Sequence, residues 1–163
     1  MATHSANIKW AAKESSEDFL KGRFSRAHTV SFDGGTEVPA SASPHVVGKW
    51  AVPAAVDPEE MLVAALSSCH MLSFLHLARL AGFAVRTYED HAEGVTEEVA
   101  PRRVAVTRVT LRPKIEWASA APDKEALDRL HHEAHDICFI ANSVKTEVTV
   151  ADAAEDSSKT TLA

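Results

Sequence analysis

The chain has 163 residues, of which 45% are hydrophobic and 25% charged, with a formal net charge of -6 at pH 7. Length and composition are those of a soluble globular protein, one domain long and able to bury a core. The acidic balance, with no basic cluster, excludes a nucleic-acid binder. The first residues carry no basic segment followed by an apolar run, which predicts a cytoplasmic, reducing setting for the two cysteines.

In chain order, residues 1–6 are small and polar and predict a loose tail. Ile8 to Ala12, around Trp10, predicts a first strand, and residues 13–18 a turn or loop. Thr29, Val30 and Phe32 favour a second strand, Asp33-Gly34-Gly35 is a hairpin turn, and Thr36 to Ala42 returns as a strand whose Pro39 predicts an edge position. Residues 43–56 predict a loop. A long helix follows, from Asp57 as N-cap and Pro58 at the first position to Gly82 as its stop. Its apolar residues point in nearly every direction, which predicts burial on most sides. Charge and histidine interrupt it too often for a membrane span.

Beyond Gly82, Ala84 to Val99 predicts a strand running into a turn. Arg102 to Trp117 predicts one long strand, with Ala105, Thr107, Val109, Leu111, Pro113, Ile115 and Trp117 on one face. Pro122 and Asp123 open a second helix, to about Ile137, with Leu127, Leu130, Ala134 and Ile137 on one stripe. Ser143 to Ala151 predicts a last strand, and residues 152–163 a second loose tail. The fold class expected is α+β, with mostly antiparallel sheets around a long central helix. One small sheet cannot cover that helix, which points to a second subunit as the other wall.

Two residues stand out chemically. Cys69 lies in the middle of the long helix, where a small buried hydrophobe is the bland explanation, and Ser67, Ser68, His70 and Ser73 make its surroundings more polar than a core needs. Cys138 ends the second helix. His131 and His135 share a helix face with Cys138 three residues on, a spacing that could hold zinc but lacks a visible fourth ligand; a solvated polar face is the simpler reading. Phosphate-binding loops and serine-triad motifs are absent, so neither a nucleotide nor any other cofactor is expected.

Taken together, these residues resemble the OsmC/Ohr family of thiol-dependent peroxidases over roughly Gly22 to Val150. The landmarks are Gly22-Arg23, Asp33-Gly34, Asp57-Pro58-Glu59, Cys69 ten residues after that glutamate, and His135, Cys138 and Asn142. The second cysteine motif reads Cys138-Phe-Ile-Ala-Asn142, without the proline and tyrosine of typical organic hydroperoxide resistance enzymes, which is more like an OsmC-like subgroup. The resemblance implies a single OsmC-like domain in an intertwined homodimer, acting without metal or membrane. In it, Cys69 attacks a hydroperoxide substrate, Cys138 resolves the sulfenic acid as a disulfide, and a dithiol reductant restores both thiols. Arg23, or Arg26 close by, would stabilise the thiolate, and Glu59 would orient the guanidinium. Phe24, Leu72, Phe139 and Ile140 would hold an organic tail. Ten helical residues span about 15 Å, so Glu59 would serve the cysteine of the other chain. Two other readings stay open: a redox-inactive relative binding a small apolar ligand at the dimer interface, and the His/Cys zinc protein.

Overall fold

The structure is a computed structural model that describes residues 1–151, so the tail expected at 152–163 lies outside the described residues. Its contacts divide the chain into two units, one from Met1 to Met61 and one from Leu62 onward.

The first unit is built on an antiparallel sheet in the order β1 (Ala6–Lys9), β2 (His28–Phe32), β3 (Glu37–Ala40). The hairpin at residues 33–35 is where the Asp-Gly-Gly run predicts it, with Gly35 at a φ of 81°. Pro39 lies on an edge strand, where a missing N–H costs least. Strand β1 begins and ends earlier than expected, and it stops short of Trp10, which belongs to an aromatic cluster instead. Its ring lies 5.8 Å from Phe19 and 5.6 Å from Phe24, and its indole N–H donates to Ser25 O. The segment expected as a loop at 13–18 holds the start of α1 (Ser16–Leu20). Ser15 caps it, accepting from Asp18 N at 3.1 Å while its hydroxyl donates back to the Asp18 carboxylate. The expected 43–56 loop likewise contains a short helix, α2 (Pro44–Val47), and a 3-10 turn over Gly48–Trp50.

Helix α3 (Pro58–Leu80) begins in a reciprocal cap: Glu60 N donates to Asp57 Oδ1 at 2.8 Å and Asp57 N to Glu60 Oε2 at 2.9 Å. It ends in a Schellman motif at Gly82, where Phe83 N reaches back to Ala78 O at 2.9 Å and Gly82 N to Arg79 O at 3.2 Å. One copy of the chain supplies the expected burial on one side of the helix. Within this chain only the stripe Leu66, His70, Phe74, Ala78 is buried, whereas Leu72 and Leu80 stay 61% and 63% exposed. By length and composition alone the helix is also long and apolar enough to cross a membrane, so its charges and histidines do not exclude that. The packed stripe marks it as a core helix.

The second unit holds two sheets. One pairs β4 (Val85–Asp90) with β7 (Pro113–Trp117); the other runs β5 (Glu93–Ala100), β6 (Arg103–Leu111), β8 (Glu147–Val150), with β8 parallel to β6. The one long strand expected over Arg102 to Trp117 is therefore two strands in different sheets, and the stretch expected to run into a turn after β4 forms β5. Between β6 and β7 the ladder stops at Arg112, whose N–H donates to Asp90 Oδ1 at 2.6 Å, and Pro113 has no N–H to continue it. The single expected face is also broken inside β6. Register shifts so that Val95 faces Arg108 while Thr96 faces Val106, leaving Thr107 as a bulge. Val106, not Ala105, then joins Val109 and Leu111 on the core side.

Helix α4 (Lys124–Asp136), capped by Asp123, buries Leu130 and Ala134 against Phe74 and Ala78. Ile137 is the C-cap residue and is 44% exposed, so the predicted apolar stripe ends one turn early. Leu66, Val109 and Leu111 form a separate core with Leu62, Val63, Ile140, Val144 and Val148.

Candidate active site

Cys69 precedes the buried His70, one helical step off the packed stripe, and is therefore only partly buried. Cys138 is delivered by a tight turn after α4. Its N–H donates to His135 O at 3.1 Å, its carbonyl accepts from Asn142 N at 3.0 Å, and Asn142 Nδ2 donates to Asp136 O at 2.8 Å. Ile140 and Ala141 pin that turn to the Leu66 core. Cys138 ends fully buried, with Ala141 N donating to its sulfur at 3.5 Å.

The two cysteines are both free, and Cys69 lies near enough to Cys138 to act on the ionisation of its thiol. Burial pushes the Cys138 thiol up; the Ala141 N–H pulls the other way, and the adjacent Cys69 adds to the rise. Cys138 is thus held protonated and away from water, while Cys69 is the sulfur nearer to solvent.

The other residues read from the sequence are placed as follows. Ile140 is packed in the Leu66 core, while within this chain Leu72 is largely exposed and Phe139 is 81% exposed. In the first unit, the Phe24 ring lies 4.5 Å from Phe19, tilted by 37°. Arg23 Nη2 is paired with Asp18 Oδ1 at 2.8 Å, and the Arg26 guanidinium lies 3.4 Å over the Phe24 ring. Glu59 stands in the first turn of α3, where the helix dipole favours its charge.

The sequence reading missed a polar cluster behind Cys69. His70 Nε2 lies 3.1 Å from His131 Nδ1, and His131 stacks 4.5 Å from Phe74. Burial drives both imidazoles down to about 4, for His70 with help from the charges of His131 and His135, so both rings are neutral near pH 7. His70 Nδ1 and the Tyr88 hydroxyl are buried without a partner among the described residues. Asp90 accepts from the Ser67 hydroxyl and from Arg112 N, tying α3 to the break between β6 and β7. One sequence signal pointed to His70: it falls on the four-residue repeat Leu66, His70, Phe74, Ala78. The His131/His135/Cys138 zinc array does not form. His131 turns its Nδ1 to His70, and among the described residues no three His, Cys, Asp or Glu side chains converge on a metal position.

The family described as OsmC-like protein matches residues 51–151. No curated protein matches the chain. Among solved structures, an OsmC-like protein of unknown function from Vibrio cholerae O1 biovar eltor is 47% identical, with a TM-score of 0.87 over 93% of this chain and 99% of its own. An organic hydroperoxide resistance protein from Elizabethkingia anophelis, crystallised with thiocyanate bound, is 19% identical, with a TM-score of 0.67 over 93% of this chain and 97% of its own. The organic hydroperoxide resistance protein OhrB of Bacillus subtilis is 16% identical, with a TM-score of 0.61 over 90% and 96%.

Proposed function

The chain belongs to the OsmC-like protein family, and from that premise we propose that it is a thiol-dependent peroxidase acting on organic hydroperoxides through Cys69 and Cys138. The observation that carries this reading is the pairing of a solvent-side thiol with a neighbouring buried one whose ionisation is suppressed. The hydroperoxide resistance proteins that share the fold lend it further support.

In this reading the Cys69 thiolate attacks the distal oxygen of ROOH. The O–O bond breaks, the alkoxide takes a proton and leaves as ROH, and Cys69 becomes a sulfenic acid. Cys138 then attacks the sulfenic sulfur, a disulfide forms and water leaves. An external dithiol reduces the bridge and is itself oxidised to a disulfide. A resolving thiol does not have to be ionised before the sulfenic acid appears, which suits the buried Cys138 position. Arg23 is the proposed cation for the thiolate and Glu59 its orienting carboxylate.

The test is intact-protein and peptide mass spectrometry after one equivalent of cumene hydroperoxide or of hydrogen peroxide. The expected product is a Cys69–Cys138 bridge within one chain, seen as the loss of two hydrogens and formed faster with the organic substrate. Each buried methylene of a hydrocarbon tail adds about 0.8 kcal/mol of binding. Cys69→Ser should abolish the reaction, and Cys138→Ser should react once and then accumulate oxygens. Peroxide that leaves both thiols free would favour the alternative of a redox-inactive protein binding a small apolar ligand.

A further inference from the structure

The two cysteines come from different helical segments, and their meeting depends on how α3 lies against α4. Much of that contact is apolar: Phe74 and Ala78 against Leu130 and Ala134. Apolar contact is non-directional and tolerates sliding by a fraction of a turn. Disulfide chemistry does not. The Cα–Cα distance must fall between about 4.4 and 6.8 Å, a window of roughly 2.4 Å, whereas half a helical turn is about 2.7 Å. Something directional must select the register.

One directional contact joins the two helices beside the cysteines. His70 is the residue after Cys69, and His131 stands two helical turns before Cys138 on the element that delivers it. Their rings are nearly parallel, 10° apart, with Nε2 and Nδ1 at hydrogen-bonding distance, and His70 is buried. We propose that the buried His70–His131 hydrogen bond is the positioning contact that holds α3 and α4 in the register where the Cys69 and Cys138 thiols meet.

The contact has a built-in requirement. One ring donates and the other accepts, so the accepting ring must be neutral, and the bond is lost once both are protonated. The ionisable groups that act on the pair are His135 and Asp128 on α4 and Asp90 on β4. Both imidazoles are held below their ordinary range, so the bond is intact at neutral pH.

This inference deepens the two-cysteine reading, and its test needs no peroxide. The wild-type protein and variants are equilibrated at pH 7 with mixtures of oxidised and reduced dithiothreitol. The two thiols give up two electrons and two protons to the reagent disulfide, and the oxidised fraction is read by mass spectrometry after acid quenching. His131→Phe keeps a ring against Phe74 but has no nitrogen; it should lower the equilibrium constant for the Cys69–Cys138 bridge at least tenfold, about 30 mV for a two-electron couple. His131→Asn, which places an amide near the Nδ1 position, should stay within threefold of wild type. Val30→Ala opens the core under β2, which holds neither the pair nor the Cys138 turn, and should not move the constant. If His131→Phe does not fold, His131→Leu takes its place under the same thresholds. A shift under threefold in the variant lacking the bond, or an equal shift in Val30→Ala, overturns the positioning role alone. A wild-type protein that forms no bridge in the buffer overturns the two-cysteine reading together with it.

Discussion

Arg23 illustrates how little a residue's visible partner says about its use. Its ion pair with Asp18 is half exposed, so breaking it should cost under about 1 kcal/mol. If it also serves the Cys69 thiolate, Arg23→Ala should slow alkylation of Cys69 by iodoacetamide and peroxide consumption by tenfold or more, with thermal stability nearly unchanged. Equal rates in wild type and variant would move the role to Arg26 or remove it. The buried histidines make a different kind of prediction. The His70 imidazole binds a proton near pH 6.5 when unfolded and only near 4 when folded, so the unfolded state holds more protons between those values. Stability is therefore fully present above about pH 6.5 and falls as pH drops towards 4, by about 3 kcal/mol for one such group. Urea midpoints measured from pH 7.5 to 4.5 should fall in wild type and fall less in His70→Asn. Parallel curves would mean that His70 is not held neutral.

At the level of elements, α3 is placed by two features: its caps and one close approach. A Cβ added at Gly94 on β5 would lie 2.6 Å from Val63 Cγ2 on α3, with Val106 and Val109 methyls at 3.5 and 3.7 Å. Valine is branched at Cβ and cannot swing aside, so the helix or the strand must move. Gly94→Ala should destabilise the protein by about 1–3 kcal/mol, the usual cost of overpacking. Paired with Val63→Ala the cost should shrink, and thermal denaturation of the four proteins in that cycle would show it. Additive effects would argue that Gly94 is required for some other reason.

For the whole molecule, the exposed face of α3 sets the expectation. Leu72 and Leu80 stand in water on a helix whose opposite stripe is closed, and Glu59 is separated from Cys69 by ten residues of the same helix. A partner helix across a two-fold axis would cover the first and resolve the second, since each glutamate could then serve the other chain's site. A homodimer is expected, and sedimentation equilibrium should give twice the chain mass at micromolar concentration. A monomer there would undo the shared-site proposal. Leu72→Asp should weaken association without unfolding the chain, because Leu72 adds little to the packing within one copy.

Local chemistry decided much of what could be read from the residues alone. The Asp57 and Gly82 boundaries of α3, the Asp33-Gly-Gly hairpin, the edge position of Pro39 and the Asp123 cap are each set by neighbours a few positions away. The resemblance carried by Asp57-Pro-Glu, Cys69 and Cys138 likewise needs only order and spacing. Other outcomes needed distant partners. Strand β6 parts from β7 at Arg112 because Asp90, some twenty residues earlier, takes its N–H. The β6 face inverts because β5 lacks a residue opposite Thr107. His131, a plausible zinc ligand beside His135, became half of a buried pair because α3 brought His70 to it across 61 positions. Burial and hydrogen bonding are properties of what the chain folds against, and no window of sequence contains both sides of such a contact.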